Sequence, residues 1–409
     1  MNFISRLRSA PKLVKLLSIH MFFDGFVPIV SLYPIMLSRI GGLNIQQIGT
    51  LFAIWSLSYL ACEIPTGVLA DYWSRKWVVF AGGFARAAGF AIWLLWPGFV
   101  GYAIGFMLWG LNVACWSGAA TAYLHDELRA EGKQDKFSKY YGYLMSVNTI
   151  GKLAGLLVAA MLTLRHTNLL ISLSLLSSIL LSVVLLLLPE HPYKKQNTYL
   201  KTLQAAFREV GHSKKLRYLC YVLFCVYMTI GVLEELLPRV YANFGLSDTM
   251  VSLVIAASVV VAIFLLARLE WVSRFPLSKQ VLVMCVGLLA LIAGLSASGW
   301  TGTFLVVTFA LVYELFRPVF MHHVTAAAKG DERATIGSVP GLFGGLLGAG
   351  AYGVIGAVAK HTSENFAIGA YGLVFLCVLT VLAFLGRKYR PQPASIIPVI
   401  TPSPNPNSL

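Results

Sequence analysis

The stretch Gly67-Val-Leu-Ala-Asp71-Tyr-Trp-Ser-Arg75-Lys76 lies between two long apolar runs and carries three charges between its middle and its end. Gly67 has no side chain, so we expect it to let two helices approach closely. Asp71 stands at a predicted helix end, and the basic residues Arg75 and Lys76 follow one turn later. The pattern predicts a tight, charged hairpin between two membrane-spanning helices.

The composition of the 409 residues excludes an ordinary soluble domain. Apolar residues make up 57% of the chain and charged residues only 12%, whereas charged residues are about a quarter of a soluble domain. The uncharged run from Leu169 to Leu188 is 20 residues long, enough for a helix to cross a hydrocarbon core of about 30 Å. Long apolar runs without two-residue alternation exclude a β-barrel, so the spans have to be helical.

We predict twelve transmembrane helices, numbered spans 1 to 12 in chain order. Their predicted ranges are 14–38, 45–69, 77–97, 99–124, 138–162, 168–188, 216–238, 249–268, 279–298, 301–323, 334–358 and 366–387. Asp71-Tyr-Trp-Ser-Arg75 after span 2 corresponds to Glu270-Trp-Val-Ser-Arg274 after span 8, which is a modest repeat signal. The predicted fold is an all-α polytopic membrane protein with two six-helix bundles.

The predicted domains follow from the longest connection, Pro189 to Arg217. Residues 1–188 form an N-terminal six-helix bundle, 189–215 a basic cytoplasmic linker and 216–390 a C-terminal six-helix bundle. In the linker we expect a basic amphipathic helix around Leu200 to Val210 on the inner leaflet, with a regulatory partner site as the alternative. The Pro-, Ser- and Asn-rich residues 391–409 are expected to be a disordered cytoplasmic tail.

The net charge of +15 is unevenly placed along this topology. The basic residues of the N-terminus, the linker, the C-terminus and the loops after spans 2, 4, 8 and 10 all fall on one side. The opposite loops hold only Arg39, Arg165, Arg239 and Lys360. The asymmetry predicts that both termini are cytoplasmic and that membrane lipids, not nucleic acid, face the basic surface. We expect the chain to be integral to the cytoplasmic (inner or plasma) membrane.

The charged stretch resembles the signature loop between helices 2 and 3 of the major facilitator superfamily of secondary transporters. The positions that keep the frame of that loop are Gly67, Leu69, Ala70, Asp71, Arg75 and Lys76. Tyr72 replaces the usual Arg, and Ser74 replaces the usual Gly. The run from Glu63 to Gly67 is similar to a subset of the drug and metabolite carriers in that superfamily. The resemblance implies two bundles related about the membrane normal and a gating role for the loop.

Ionisable residues inside the predicted spans are candidates for coupling and substrate binding, because each costs at least about 2.5 kcal/mol to insert. The acids are Asp24, Glu63, Glu234, Glu235 and Glu314, and the bases are Arg86, Lys152 and Arg317. We also assign Asn148, one turn before Lys152, to this cavity. Of the adjacent Glu234 and Glu235, at most one is expected to face it, and we assign Glu235 to the cavity. Mixed charge suits zwitterionic, cationic or bulky amphipathic solutes.

Two of these residues and one pair of them have two interpretations each. Asp24 in span 1 is either a proton or cation site tuned by burial or a carboxylate held by a basic neighbour. Glu63 in span 2 is either a proton carrier or, as we favour, a structural partner of the gating loop. Glu314 and Arg317 are three residues apart on one helix face, so they either neutralise each other or face the substrate.

Charges at the cytoplasmic ends of spans 2, 4 and 11 are candidates for a gate. The candidate gate comprises Gly67, Asp71, Arg75, Lys76, Asp126 and Arg333. Its two acids are placed to pair with its three bases when the inner side is closed. Because such partly exposed pairs are individually weak, only a network would bias the conformational equilibrium. The alternative is that these charges only set the topology.

We therefore expect a secondary transporter of a small organic solute rather than an enzyme. The intramembrane His, Asp and Ser residues show no catalytic grouping, and the six cysteines lack metal-ligand spacing, so no cofactor or metal is expected. The chain has no Walker motif, which favours an ion gradient over ATP. We expect a monomer.

The resemblance further implies proton-coupled antiport that exports a drug or metabolite. In span 5, Gly151 and Gly155 keep the spacing of a Gly-x-x-x-Gly-Pro stretch found in antiporters of the superfamily, although the following Pro is absent. A proton-coupled uptake symporter for a nutrient and a lipid flippase are the alternatives.

Overall fold

A computed structural model describes residues 11–117, 119–190, 199–266, 268–328 and 333–389. The side chains of residues 199–203, 270, 333–335, 337 and 338 lie outside this description. The side chain of the predicted gate residue Arg333 and the predicted tail 391–409 are therefore outside the described part. Every regular element in the described residues is an α-helix or a short 3-10 helix.

Twelve segments are long and apolar enough to cross a membrane, in the predicted order. The unbroken spans are Ile45–Tyr72 (span 2), Arg75–Leu95 (span 3), Phe137–Leu162 (span 5), Thr167–Leu186 (span 6), Asp248–Leu266 (span 8), Leu277–Ser296 (span 9), Gly299–Ala327 (span 10), Arg333–His361 (span 11) and Glu364–Gly386 (span 12). A helix at Tyr199–His212 lies in the predicted linker, and a short one at Leu269–Ser273 follows span 8.

Span 1 is interrupted, so the prediction of one continuous helix is wrong there. Its first helix is Lys12–Gly25, a 3-10 turn follows at Pro28–Ser31, and the second helix is Tyr33–Arg39. Pro28 has no backbone N–H and disfavours helical geometry at the preceding residue. The break places the end of the first helix, with Asp24, in the interior of the span.

Spans 4 and 7 are also interrupted where continuous helices were predicted. Span 4 consists of Phe99–Trp116 and Ala119–Ala130. Span 7 consists of Lys214–Leu233 and Leu237–Asn243, with Pro238 in the first turn of the second helix. Proline is tolerated in a first turn because the N–H it lacks would have no partner in the helix. This break brings Glu234 and Glu235 out of the regular helix.

The two halves of the chain pack by the same scheme. In the first bundle, span 1 contacts spans 5 and 6, span 4 contacts spans 2 and 3, and span 3 contacts span 6. In the second bundle, span 7 contacts spans 11 and 12, span 10 contacts spans 8 and 9, and span 9 contacts span 12. The bundles meet through spans 2 and 11 and through spans 5 and 8, which are equivalent pairs under the repeat.

Several polar contacts between the bundles cluster at one end of the molecule. We call the end with Pro11 and Tyr389 the terminal side and the opposite end the far side. The far-side contacts include Ser31 Oγ to Ser252 Oγ at 2.9 Å, Arg39 to Asp248 at 2.9 Å and Thr249 Oγ1 to the carbonyl of Ala160 at 2.9 Å. On the terminal side, the ion pairs of Arg75 with Asp71 and Asp126 and the hydrogen bond from Lys76 to Leu188 lie within the first bundle. The far side is therefore closed.

The charged hairpin is shorter than predicted. Span 2 continues through Asp71 to Tyr72, so only Trp73 and Ser74 separate it from span 3. The Ser74 hydroxyl accepts a hydrogen bond from the backbone N–H of Trp77 at 3.1 Å, which caps the start of span 3. Ser74 thus has a local role at a position where the superfamily usually has Gly.

Close approach of helices depends on glycines other than Gly67. A Cβ added at Gly67 would meet no atom within 4 Å, so the expected contact there is wrong. In contrast, a Cβ at Gly151 of span 5 would overlap the carbonyl oxygen of Phe22 in span 1. At Gly356 of span 11 a Cβ would lie 3.0 Å from the Cα of Gln46 in span 2. Glycine in span 11 therefore permits packing between the bundles.

Candidate functional site

Asp24 joins three spans of the first bundle. Its Oδ1 accepts a hydrogen bond from Arg86 of span 3 at 3.2 Å, and its Oδ2 accepts one from Asn148 of span 5 at 3.0 Å. The side chain of Arg86 is only 5% exposed and also donates through Nε to Ser178 Oγ at 2.9 Å. The geometry is that of a carboxylate held by a basic neighbour. A change in the charge of Asp24 would therefore alter contacts of spans 1, 3 and 5 together.

Two cavities adjoin at Asn148 and Lys152. The first is about 270 Å³, lies in the first bundle and is bordered by Asp24 and Arg86. The second is about 470 Å³, lies between the bundles and is bordered by Glu234, Glu314 and Arg317. Asn148 and Lys152 line both. Seven of the candidate residues in the spans therefore border one or both of these two neighbouring cavities.

Two ion pairs face the larger cavity. Lys152 Nζ lies 3.9 Å from Glu234 Oε1, which joins span 5 of one bundle to span 7 of the other. Glu314 and Arg317 of span 10 are 2.9 Å apart. The pairing expected from their spacing is present, and 42% of the Arg317 side chain remains exposed. Both signs of charge are available to a solute.

Glu235 points away from Glu234 and contacts the other bundle. Its Oε2 accepts a hydrogen bond from the hydroxyl of Tyr33, which begins the second helix of span 1. The contact joins the interrupted parts of spans 1 and 7 on the far side of the cavity. Of the two adjacent acids, Glu234 and not the assigned Glu235 borders the larger cavity.

Glu63 does not belong to the ion pairs of the loop after span 2. Its Oε1 accepts a hydrogen bond from Ser117 Oγ at 2.8 Å. Ser117 stands at the break in span 4, directly after the helix that ends at Trp116. The partner that we expected in the gating loop is replaced by one at this break.

Arg75 is the centre of the described charges on the terminal side. It contacts Asp71 at 3.1 Å and forms a second ion pair with Asp126 of span 4. Lys76 is buried and donates instead to the carbonyl oxygen of Leu188 at 2.6 Å. The described part of the candidate gate therefore lies within the first bundle, with Arg75 connecting two acids.

Sequence reasoning missed Tyr33 and Ser117 as partners of buried acids. Each hydroxyl lies far from its acid along the chain, and no spacing relates the two residues. His20, one turn before Asp24, is fully buried, with Nδ1 2.8 Å from the carbonyl oxygen of Leu181. Its ring stacks on Trp116 at a centroid distance of 5.1 Å.

Comparison with models of protein families shows which family the chain belongs to. Residues 16–351 match the model of the Major Facilitator Superfamily. The chain belongs to this superfamily. An uncharacterized transporter of the superfamily from Methanocaldococcus jannaschii is 26% identical over 128 residues, which are 31% of this chain and 31% of that protein. The match thus spans less than a third of either protein.

Solved structures of superfamily members share the fold over nearly the whole chain. The nucleoside transporter NupG has a TM-score of 0.75 and 17% identity, with 92% of this chain and 99% of that chain covered. A D-xylose-proton symporter has a TM-score of 0.72 and 12% identity, with 92% and 97% covered. A bacterial homologue of the human lysosomal transporter Spinster, inward-facing and occupied, has a TM-score of 0.72 and 16% identity, with 95% and 99% covered. These identities show a common fold alone.

Proposed function

We propose that this superfamily member exports a small organic solute from the cytoplasm in exchange for protons. Transport of a small solute by alternating access follows from membership of the superfamily. The proposal adds the coupling ion and the direction. The observation that carries it is that Asn148 and Lys152 border both the cavity next to Asp24 and the cavity between the bundles.

Asp24 is the proposed proton-binding residue. In its charged form it accepts hydrogen bonds from Arg86 and Asn148. Protonation would remove the charge that compensates the buried Arg86, and an uncompensated buried charge is unfavourable by several kcal/mol. Arg86 and Asn148 would then favour other partners, and Asn148 also lines the solute cavity. Proton binding and solute binding would in this way affect each other through span 5.

The described state is proposed to be inward-facing. The far side is closed by contacts such as Ser31 with Ser252, and the charge distribution assigns the terminal side to the cytoplasm. Opening of the far side requires the loss of these contacts and of the hydrogen bond from Tyr33 to Glu235. The gate around Arg75 is proposed to favour closure of the terminal side in the opposite state.

The direction of coupling is tested by pH recordings in proteoliposomes that contain a pH dye. A set of cationic drugs, sugars and peptides is added on one side without a preset gradient. Antiport predicts that solute entry releases protons from the lumen, so the lumen becomes more alkaline. Acidification of the lumen with solute entry would identify a symporter, and movement of labelled lipid without a pH change would identify a flippase. Either result would contradict the proposal.

A further inference from the structure

The pair Lys152–Glu234 is loosely held. Its two charged atoms are 3.9 Å apart, whereas a charged N–H···O hydrogen bond is about 2.7–2.9 Å long. The side chains are 39% and 45% exposed, and among the described residues neither forms another ion pair or hydrogen bond. A solute therefore has access to both charges without having to break a direct hydrogen bond.

The opposite wall of the cavity has a second acid and a second base. Glu314 Oε2 accepts a hydrogen bond from one terminal nitrogen of Arg317 at 2.9 Å. A guanidinium group has five N–H donors, and this pair uses one of them. The cavity is lined by four charged side chains, and their charges sum to zero. They are Lys152, Glu234, Glu314 and Arg317.

This balance discriminates between charge classes of solute. A cation that binds an acid of the cavity leaves the base that was paired with it uncompensated, and an anion has the reverse effect. Even in a partly exposed cavity, a charge that has lost its partner is less favourable than a paired one. A molecule with one positive and one negative group supplies a partner to each member of a separated pair. The cavity therefore favours zwitterions and selects against single charges.

Most of the remaining wall of the cavity is apolar, although Thr149, Tyr241 and Ser258 also line it. Span 8 contributes Ile255, Val259, Ala262 and Ile263, and span 10 contributes Leu311. The volume of about 470 Å³ lies in the range of about 300–1,000 Å³ that is usual for small-molecule sites. Apolar surface buried against these side chains contributes about 25 cal/mol per Å². The solute is thus expected to have an apolar body next to its charged groups.

We propose that the solute is a soluble zwitterion with an apolar body, whose carboxylate binds Lys152 and whose ammonium group binds Glu234. This inference rests on the proposed function and names the substrate class of the same site. Because Lys152 belongs to span 5 and Glu234 to span 7, the bound solute connects the two bundles. The carboxylate of the solute thereby contacts the first bundle and its ammonium group contacts the second, and these two bundles move relative to each other during transport.

The test is binding to the purified full-length protein in detergent, without any gradient. The probes are apolar amino acids and apolar dipeptides, each compared with its carboxamide, which is a cation, and its N-acetyl derivative, which is an anion. We expect zwitterions to bind at least about tenfold more tightly than both derivatives, since each derivative loses one charged hydrogen bond. Equal binding of a derivative, or no binding by any zwitterion, would overturn the proposal. Displacement of a bound zwitterion only by short-chain phosphatidylethanolamine would instead assign the site to lipid and contradict it.

Substitutions assign each charge to its group. Lys152→Gln is expected to reduce the preference for the zwitterion over the carboxamide from about tenfold to about one. Glu234→Gln is expected to do the same for the preference over the N-acetyl derivative. Lys152→Arg retains the charge and should retain the preference, which separates a loss of folding from a loss of recognition. Lys360→Gln removes an exposed charge outside the cavity and is the matched control.

The result is independent of proton coupling. Selective binding of zwitterions by a protein that shows no proton-linked transport would retain this inference and contradict the proposed function. Proton-linked transport of a cation or anion, with no preference for zwitterions, would retain the proposed function and contradict this inference. Unchanged zwitterion preference in both Lys152→Gln and Glu234→Gln would also contradict it.

Discussion

Ser31 of span 1 and Ser252 of span 8 meet across the two bundles, with their hydroxyl oxygens 2.9 Å apart. Both side chains are buried, at 2% and 0% exposure. These two serines therefore report directly on whether the far side is closed.

The pair Ser31→Cys and Ser252→Cys is expected to form a disulfide under mild oxidation, because the two side chains already meet. The bond would hold the far side closed and reduce transport to background, and reductant would restore it. Transport in proteoliposomes and mobility on a non-reducing gel after proteolytic cleavage between the bundles are the measurements. The unmodified chain and the two single substitutions are the controls for disulfides that involve the six native cysteines. Full transport by the cross-linked protein would show that the far side does not need to open.

Tyr33→Phe is expected to shift the protein toward the state with an open far side. The change removes the hydroxyl that donates to Glu235 and leaves a buried carboxylate without this partner, at a cost of about 1–3 kcal/mol. Labelling of Cys at position 252 by an impermeant maleimide should become roughly tenfold faster. Tyr102→Phe is the control, since Tyr102 is also buried near the far end of its span. Equal rates in the two variants would assign the Tyr33 hydroxyl no role in closure.

Gly151→Ala is expected to prevent normal packing of spans 1 and 5. The added methyl group would overlap the carbonyl oxygen of Phe22, and backbone atoms cannot move away without separating the helices. Gly142→Ala in the same span is the control, because no atom lies within 4 Å of that site. It should be neutral or stabilising by up to about 1 kcal/mol, as Ala favours helix over Gly. Thermal unfolding in detergent distinguishes the two, and similar melting temperatures would contradict the packing of the spans.

The Asp24–Arg86 pair is expected to show strong coupling in a double-mutant cycle. Arg86→Met alone leaves the carboxylate without its cation and should lower the free energy of unfolding by about 3 kcal/mol. Adding Asp24→Asn to Arg86→Met removes the second charge and should recover part of this loss. Additive effects of the two changes would mean that the residues do not interact in the membrane.

Arg75→Lys is expected to slow transport by a factor of about three to ten, because an ammonium group does not bridge two carboxylates as a guanidinium does. The substituted lysine would pair with only one of Asp71 and Asp126, whereas Arg75 pairs with both. The contribution of the gate to the equilibrium between the two conformational states would therefore weaken. Arg129→Lys on the same side of span 4 is the matched control, as Arg129 is exposed. Initial rates in proteoliposomes measure the effect. An unchanged rate for Arg75→Lys would support the alternative that these charges only set the topology.

The number and order of the spans could be predicted because each requires about twenty apolar residues. Contacts between residues one helical turn apart could also be predicted from the sequence, and the pairing of Glu314 with Arg317 is an example. The breaks in spans 1, 4 and 7 were not predicted, although Pro28 marks one of them. In a membrane, neighbouring side chains can form hydrogen bonds with the backbone groups that a helix break leaves free. A proline alone therefore does not decide whether a span is continuous.

Long-range partners in the candidate site were not accessible from spacing. Asp24 and Arg86 are 62 residues apart, and Tyr33 and Glu235 are 202 residues apart. No periodicity relates such residues, because their proximity depends on which helices pack together. The Gly67 prediction failed for the same reason. Gly67 marks a sequence motif, whereas the close approach of helices occurs at glycines such as Gly151, whose neighbours come from a distant span.

The most direct test of proton-coupled transport through Asp24 is accumulation of solute in proteoliposomes under an imposed pH gradient. The solute is one that binds in the detergent assay, and the unmodified chain is compared with Asp24→Asn. We expect the unmodified chain to concentrate the solute when the lumen is more acidic than the outside. Asp24→Asn should exchange solute across the membrane at a measurable rate but should not concentrate it. Accumulation by Asp24→Asn to the same level as the unmodified chain would contradict the account.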